Sequence, residues 1–470
     1  MTSTVEGETE VPARRQLVRA LTLIPAIAII LANIIGTGVF VKARAMIVNV
    51  GSPDMVLLVW ICAGLLTLTG ALVFAELSTM MPRSGGAVNF LGAAYGRRVA
   101  FLCGWTGSVA VGASTAAVAI LFAAFLNDVL GNSMSTWMLR ALPIVVITIA
   151  AALNLVSVRA TGKVAAALTL VKVTIVLSIG IGAFLFADGS LDHFSQSSSG
   201  GLGVGVPESA RLGVNGFGAA MLGALWSYNG WAIIAGIGGE VKDPARTLPR
   251  TMIGGTLLVI VLYLLINAAY FYVLTPLEIS NLQPSQSVAN ATVLRFAGKA
   301  AAALMSVGLV ISAYGTLHTT LLVGPRTPFA LARKGLMPAG LALVSARGIP
   351  VVAVLAVAAW AIVLTLSGTF NILTDIYIFM IWIFNGLVCT ALFVLRRKMP
   401  DANRPYRVWG YPLIPAIFLV VTLFLLINTF IATPSRAISG FLLVLAGLPV
   451  YAFYSRHLSA EDRSEWLGGE

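Results

Sequence analysis

Two glycine-containing stretches interrupt apolar runs, and their residue types could bind both charged ends of a small molecule. The first, Ile35-Gly-Thr-Gly38, lies within the apolar run 21–48, and the second, Trp226-Ser-Tyr-Asn-Gly230, lies within the run 214–238. Glycine disfavours a continuous helix, so each stretch predicts a broken helix. Backbone amides freed at the start of a half-helix can bind an anion, and carbonyls freed at the end of one can bind a cation.

A pocket with one anion-binding wall and one cation-binding wall fits an α-amino acid. We expect the first stretch to bind the carboxylate, with the Thr37 hydroxyl as a further donor. The carbonyls of the second stretch, with those near Ala32 and Asn33, would bind the amino group, and Trp226 would close over it. The alternative is that the small residues only let helices pack closely and that Trp226 is a packing residue. The predicted substrate-binding residues are Ile35, Gly36, Thr37, Gly38, Trp226, Ser227, Asn229 and Asn385.

A lone lysine, Lys172, lies deep within another apolar run. It follows Lys163 by nine residues, about 14 Å along a helix at ~1.5 Å per residue, which places it near the bilayer centre. An isolated Lys there costs at least about 2.5–3.5 kcal/mol, and both surfaces are far for one side chain. We therefore predict a functional role, either as a fixed charge in place of a metal cation or as a proton carrier, and the sequence leaves both open.

The remaining polar residues at depth have more ordinary interpretations. Glu76 and Glu240 lie near the ends of apolar runs, so we expect them to pair with loop arginines. His318 could titrate or could be a packing residue, and Asn385 could line the pocket or join two helices. The apolar runs contain no nucleophile–base pair, metal-ligand cluster or nucleotide-binding loop, so the sequence does not indicate an enzyme and implies no cofactor or metal.

The composition indicates that membrane-spanning helices hold these residues. The chain has 470 residues, of which 58% are hydrophobic and 10% are charged, whereas soluble domains have about 25% charged residues. The net charge of +12 does not indicate nucleic-acid binding, because the basic residues lie in short loops. The cysteines Cys62, Cys103 and Cys389 all lie in apolar runs and offer neither metal-ligand spacing nor a disulfide framework.

We predict an all-α polytopic membrane protein with twelve transmembrane helices. The N-terminus lacks the order of a signal peptide. Of the 30 Lys and Arg residues, 22 lie at the termini or in every second loop and 7 lie in the other loops. This bias places both termini in the cytoplasm, with the chain in the bacterial cytoplasmic (inner) membrane. The predicted spans are 21–48, 54–80, 99–130, 141–157, 163–187, 214–238, 250–274, 300–324, 349–367, 370–395, 411–431 and 436–455.

The two predicted breaks lie in the first and sixth spans, which correspond if spans 1–5 and 6–10 are two copies of one unit. Because five is odd, the second copy would be inverted, and paired broken helices in inverted repeats mark the central site of a transporter. We also predict a short re-entrant or interfacial helix within 84–96. The predicted segments are a cytoplasmic tail (1–20), a first repeat (21–187), an outer loop that forms a flexible surface segment (188–213), a second repeat (214–395), two further helices (411–455) and a second cytoplasmic tail (456–470).

With these features, the chain resembles the amino acid–polyamine–organocation (APC) superfamily, and within it the L-type amino acid transporter group and bacterial amino acid permeases. The similarity is spread over most of the chain and follows the same order. The motifs that carry it are Ile35–Phe40, Ala75–Gly86, Lys172, Trp226–Trp231, Glu240–Arg250, Ser312–Gly315, Arg326–Pro338, Arg404–Arg407 and Tyr411-Pro412.

The resemblance implies a five-plus-five inverted-repeat fold with two extra C-terminal helices that works by alternating access. In relatives the first break binds the substrate carboxylate, and the second binds the amino group and supplies an aromatic gate, here Trp226. Lys172 matches a lysine that takes the place of a sodium ion of sodium-dependent relatives, near the first break and Ser312. The resemblance therefore assigns coupling or gating to Lys172, Ser312 and Trp226, and implies sodium independence.

Three departures from the family pattern refine this interpretation. Asn229 stands where relatives that accept cationic amino acids can have Asp, which favours neutral substrates. His318 stands where relatives usually have Asn, and its role stays open. Eukaryotic L-type members form a disulfide with a single-span partner through an outer-loop cysteine, which is absent from this sequence, so we expect no such heavy chain.

We therefore expect a secondary active transporter of amino acids or related amines. It would work in the lipid bilayer as a monomer or homodimer, by sodium-independent exchange or proton-coupled uptake, on neutral amino acids. The runner-up is an arginine/agmatine- or ornithine/putrescine-type antiporter. A different class, a membrane sensor or channel without coupled transport, is a further alternative, although the polar tails are short for a signalling domain.

Overall fold

A computed structural model describes residues 21–83, 85–156, 161–198, 201, 203–284, 286–345 and 348–456. Within these ranges the regular structure is helical, and the only strand-like pairing is an isolated bridge between Leu21 and Val241. The helices in chain order are α1 (Leu23–Ile34), α2 (Lys42–Val50), α3 (Pro53–Met80), α4 (Ala87–Tyr95), α5 (Arg97–Val129), α6 (Thr136–Val156), α7 (Thr161–Phe186), α8 (Gly213–Tyr228), α9 (Ile233–Gly236), α10 (Pro244–Val273), α11 (Pro276–Ser280), α12 (Val288–Val323), α13 (Arg326–Arg333), α14 (Val351–Ser367), α15 (Phe370–Lys398), α16 (Leu413–Ala432), α17 (Pro434–Leu445) and α18 (Gly447–Ser455).

These helices confirm the predicted all-α polytopic fold. Among the described residues, 9 stretches are long and apolar enough to cross a membrane. The other three predicted spans correspond to α14 and to the interrupted pairs α1/α2 and α8/α9, so both predicted breaks are present. We call the face at which α1 begins the terminal side, and the opposite face, at which α2 ends, the distal side.

Three helices begin five or more residues earlier than we predicted. α6 begins at Thr136 rather than 141, and α10 begins at Pro244 rather than 250 because proline fits the first turn of a helix. α12 begins at Val288 rather than 300 and bends at Gly298, where φ is +78°. Glycine adopts this left-handed conformation without steric cost, so the helical hydrogen bonding resumes after the bend.

Two described residues of the loop between α7 and α8 are hydrogen-bonded to the distal end of α2, contacts that the sequence did not predict. The Ser198 amide donates to the Gly51 carbonyl at 2.8 Å, and the Leu212 amide donates to the Asn49 carbonyl at 2.6 Å. Carbonyls at the end of a helix have no partner inside the helix, so the loop supplies their donors. At the terminal side, α4 confirms the short helix predicted within 84–96, of which Ser84 lies outside the described residues.

A buried carboxylate fastens α3 to the terminal end of α15. Glu76 is 0% exposed and lies 2.6 Å from Arg396 Nη2 and 3.6 Å from Arg404 Nε. The Val408 amide donates to it as well, at 2.7 Å. The predicted pairing with a loop arginine is thus confirmed for Glu76, whereas Glu240 is exposed and forms no ion pair with any residue that the structure describes.

Candidate functional site

The first break supplies two free backbone donors. After α1, a single 3₁₀ turn (Gly38–Phe40) leads into α2. The amides of Ile35 and Gly36, which we predicted to bind an anion, instead donate to backbone carbonyls at 2.9 and 2.7 Å. The amides of Thr37 and Gly38 have no partner among the described residues, and the buried Thr37 hydroxyl has none either. The donors left for a carboxylate are therefore those of Thr37 and Gly38.

The second break turns the chain sharply after α8. Gly230 has a φ of +118°, a conformation that side-chain-bearing residues rarely adopt. Asn229 just before it is extended, and its side-chain amide donates to the Tyr377 hydroxyl of α15 at 2.8 Å. The break therefore presents Asn229 to the centre of the molecule, in a position fixed by α15.

Some of the carbonyls predicted to bind an amino group are occupied, and others are free. The carbonyls of Trp226, Ser227 and Ala32 already accept one hydrogen bond each, at 3.2, 2.9 and 3.4 Å. The carbonyls of Asn33 and Asn229 accept none from the described part of the chain. These last two are therefore the free acceptors for an ammonium group.

Two glycines bring the broken segments into direct contact. A Cβ at Gly38 would lie 2.9 Å from Trp226 Cδ1 and 3.2 Å from Ser227 Cα. A Cβ at Gly230 would lie 2.9 Å from the carbonyl carbon of Asn33. Since Cβ atoms essentially never make contacts below 3.0 Å, any side chain at either position would push the breaks apart. The glycines thus fix the spacing between donors and acceptors as well as interrupting the helices.

A cavity of about 450 Å³ lies against both breaks and extends toward the terminal side. Its wall reaches Val323 and Gly324 at the terminal end of α12. Every predicted substrate-binding residue except Ile35 lines it, including Asn385. Ile35 is 0% exposed because its side chain packs into the core. Lys172 is the one charged residue in the described lining.

Trp226 forms the distal end of this cavity. Its indole packs edge-on against Phe370, at 6.2 Å between ring centroids, and against Tyr377, at 5.1 Å. Both partners belong to α15, so the lid predicted at Trp226 is closed onto a neighbouring helix. The side chain is 9% exposed, and it lines the cavity.

Lys172 lies beside the first break, as the resemblance implied, but its side-chain partner differs from the prediction. Its ammonium donates to the Ala32 carbonyl at 3.4 Å and to the Thr316 hydroxyl at 2.9 Å. Ser312, the predicted neighbour, lies one helical turn earlier in α12, and its hydroxyl is buried without a partner in the described structure. The hydroxyl that contacts the Lys172 ammonium is therefore that of Thr316, one turn after Ser312.

The sequence analysis missed two tyrosines that contact the breaks and one buried lysine on the distal side of the Trp226 lid. Tyr377 fixes Asn229, and the Tyr263 hydroxyl lies 2.9 Å from the Ile34 and Ser227 carbonyls, one from each break. Lys42, which we counted with the outer-loop cations, is 2% exposed. Nothing in the sequence distinguishes it from an exposed cation near the end of an apolar run, so only the fold reveals its burial.

His318 lies outside the cavity lining. Its ring stacks on Tyr314 at 6.2 Å between centroids, and its Nδ1 is buried without a partner among the described residues. In the same described ranges, no group of three or more His, Cys, Asp or Glu side chains could hold a metal ion.

The chain is similar in sequence to a known family and to several known proteins. A family model described as amino acid permease matches residues 21–453. The chain is 31% identical to the serine/threonine exchanger SteT of Bacillus subtilis, over 93% of this chain and 96% of that protein. It is 31% identical to the mouse (Mus musculus) b(0,+)-type amino acid transporter 1, over 93% and 88%. It is 28% identical to the human (Homo sapiens) cystine/glutamate transporter, over 95% and 88%.

Proposed function

The chain belongs to the amino acid permease family, and we propose that it exchanges neutral amino acids across the cytoplasmic membrane without sodium. Amino acid transport in general follows from its relatives, and the specific substrate class and coupling are the proposal. The observation that carries it is a cavity lined by free amides on one wall, free carbonyls on another, and no carboxylate among its described residues.

Both charged groups of an α-amino acid have partners in this cavity. The amides of Thr37 and Gly38, with the Thr37 hydroxyl, would hold the carboxylate. The carbonyls of Asn33 and Asn229 would hold the ammonium group. Trp226 then closes over the bound molecule from the distal side, and alternating access would require this lid to separate from α15.

Two features support neutral, sodium-independent transport. A substrate with a cationic side chain would need a negative charge in the cavity. Asn229 contributes a neutral amide, and the one charged residue in the described lining, Lys172, is itself positive. The Lys172 ammonium donates to the Ala32 carbonyl, so a fixed cation already serves the carbonyl at the end of α1. The Bacillus subtilis relative is a serine/threonine exchanger, which supports exchange over proton-coupled uptake.

The orientation and assembly are part of the same proposal. The excess of Lys and Arg on the terminal side favours a cytoplasmic location for that side, so the cavity would open toward the cytoplasm. The chain would work within the bilayer as a monomer or homodimer and without a disulfide-linked heavy chain.

Counterflow in proteoliposomes tests the proposal. Sodium-free vesicles loaded with alanine or leucine should accumulate the labelled amino acid at two pH values, whereas empty vesicles should not. Uptake into empty vesicles driven by a proton gradient would replace exchange with proton coupling. Selective uptake of arginine or putrescine would overturn the neutral substrate class, and non-saturating flux without counterflow would indicate a channel. Protein-free liposomes provide the background.

A further inference from the structure

A second buried lysine lies on the distal side of the closed lid. Lys42 is the first residue of α2 and is 2% exposed. Its ammonium donates to Asn371 Oδ1 at 2.9 Å and to Thr374 Oγ1 at 2.8 Å, and it lies 4.6 Å from the centroid of the Phe370 ring. All three partners belong to the first turns of α15. The positive charge is thus solvated by neutral groups alone.

The charges around Lys42 do not cancel. The nearest acidic residue in its surroundings, Asp375, is bonded to Arg436 of α17. No carboxylate among the described residues lies within 4.0 Å of the Lys42 ammonium. Two cations and one anion therefore share this buried region, which leaves an excess of one positive charge. Uncompensated charge at such a depth is costly and generally marks a functional position.

Lys42 also lies between the Trp226 lid and a small cavity on the distal side. The Phe370 ring separates its ammonium from Trp226, the lid of the central cavity. Beyond Lys42, a small cavity of about 30 Å³ continues between α2, α8 and the outer loop as far as Pro207. A molecule that enters from the distal side once α15 has moved away from α2 would therefore pass this ammonium before it reaches the breaks.

We propose that Lys42 determines substrate specificity at the distal entrance, by excluding amino acids with a cationic side chain and admitting those with a neutral or anionic one. This inference rests on the proposed amino acid transport and adds a residue outside the binding pocket that selects the substrate class. An ammonium or guanidinium group at about 10 Å from a fixed positive charge, at an effective dielectric constant of about 20, is disfavoured by about tenfold or somewhat more.

The experiment compares two competing amino acids that differ by one charged group. Norvaline and ornithine share a carbon chain, and ornithine adds one terminal ammonium group. Each is titrated against counterflow of the best neutral substrate, with wild-type protein and with Lys42→Met and Lys299→Met. Lys299 is an exposed cation near the distal end of α12, so its substitution removes one positive charge from the same side but outside the path.

The wild-type protein should require at least about tenfold more ornithine than norvaline for half-inhibition. Lys42→Met should reduce this ratio by about tenfold, with half-inhibition by norvaline changed less than about threefold, and Lys299→Met should leave the ratio unchanged. An unchanged ratio in Lys42→Met, or a ratio near one in the wild type, would overturn the inference while leaving amino acid transport in place.

Failure of the proposed function would look different, because the wild-type protein would then show no counterflow of any amino acid. Should Lys42→Met not fold, Lys42→Gln keeps a hydrogen-bond donor for Asn371 and Thr374 and removes the same charge. If ornithine inhibits the wild-type protein as strongly as norvaline does, the inference is already overturned without any variant.

Discussion

The side chain of Trp226 separates the central cavity from the distal half of the protein, and this separation depends on the size of the indole ring. Replacing Trp226 by alanine would remove the ring that packs on Phe370 and Tyr377 and would weaken the distal closure over the bound molecule. We expect Trp226→Ala to lower the counterflow rate by at least about tenfold, and Trp226→Phe to retain more of it.

The control is Trp137→Ala, because Trp137 is 76% exposed on α6 and lies far from the cavity lining. Counterflow is measured for all three variants in vesicles with equal amounts of folded protein. A wild-type rate for Trp226→Ala would mean that this indole is an ordinary packing residue.

Thr316 and Ser312 give a matched pair of hydroxyl residues on one helix. Thr316 accepts the hydrogen bond of Lys172 at 2.9 Å, whereas the Ser312 hydroxyl has no partner in the described structure. Removing an acceptor from a charged group costs about 1.5–3 kcal/mol, and removing an unpartnered hydroxyl costs little. We therefore expect Thr316→Val to lower the transport rate about tenfold or more and Ser312→Ala to leave it nearly unchanged.

Initial rates of exchange, with and without sodium, check this expectation. Equal effects of the two substitutions would mean that the Thr316 hydroxyl has no specific role as a partner of Lys172. A sodium-dependent rate in Thr316→Val would mean that a sodium ion now occupies the position of the Lys172 ammonium.

The contrast between Lys172 and Lys42 explains which functional residues could be predicted. Lys172 was identifiable because a charge in the middle of an apolar run has no ordinary explanation. Lys42 follows the first break near the end of its run, where a cation usually faces water, and only the fold reveals that α15 covers it. Tyrosines such as Tyr377 are common in membrane helices, so the residue type alone did not indicate a role in the site.

At the scale of elements, Tyr263 of α10 joins the two broken helices. Its hydroxyl lies 2.9 Å from the last carbonyl of α1 and 2.9 Å from the Ser227 carbonyl of α8. Its ring packs against Trp60 and Tyr228, at 5.3 and 5.1 Å between centroids. One buried hydroxyl therefore serves the ends of both half-helices, and the ring holds it in position.

We expect Tyr263→Phe to destabilise the protein by about 1–3 kcal/mol, because it leaves the buried Ser227 carbonyl without a donor among the described residues, and to raise the half-saturating substrate concentration as the breaks lose their register. The Ile34 carbonyl keeps the Gly36 amide as a donor, at 2.7 Å. Tyr228→Phe is the control, since its hydroxyl contacts a single carbonyl, that of Trp60, at 3.2 Å outside the breaks. Thermal unfolding in detergent and the concentration dependence of exchange measure the two effects. A Tyr263→Phe protein with the wild-type half-saturating concentration would limit Tyr263 to a packing role.

The broken helices were predictable as elements, whereas their hydrogen bonds were not. Glycines inside apolar runs located both breaks, since only buried or cavity-lining backbone tolerates such interruptions in a membrane. The free groups were predicted one to two residues too early, because the last turn of α1 takes up the amides of Ile35 and Gly36. The outer loop was predicted as flexible because it is rich in glycine and serine and has no apolar period. The hydrogen bonds from its amides to carbonyls at the end of α2 involve the backbone and leave no trace in the side-chain sequence.

At the scale of the whole molecule, the central site is open toward the terminal side and closed toward the distal side. On the terminal side the cavity continues past Thr320 to the end of α12. On the distal side Trp226, Phe370 and the Lys42 contacts between α2 and α15 close the path. In the proposed alternating-access mechanism, this arrangement would be one end state, and the same site would face the distal side in the other.

Thiol accessibility would distinguish these sides directly. In a protein whose native cysteines Cys62, Cys103 and Cys389 are replaced, Thr320→Cys would lie in the open arm of the cavity and Ala45→Cys in the small distal cavity. A membrane-impermeant thiol reagent should modify Thr320→Cys from the terminal side at least about tenfold faster than it modifies Ala45→Cys from the distal side. Substrate should slow the first reaction, since the bound molecule and the reagent share one cavity.

Faster modification of Ala45→Cys would mean that the distal side is the open one at rest, and the contacts of Lys42 with α15 would then belong to a minor state. With the predicted order, adding Trp226→Ala should speed the distal reaction selectively, because removing the lid loosens the α15 surface against which Lys42 and α2 are held.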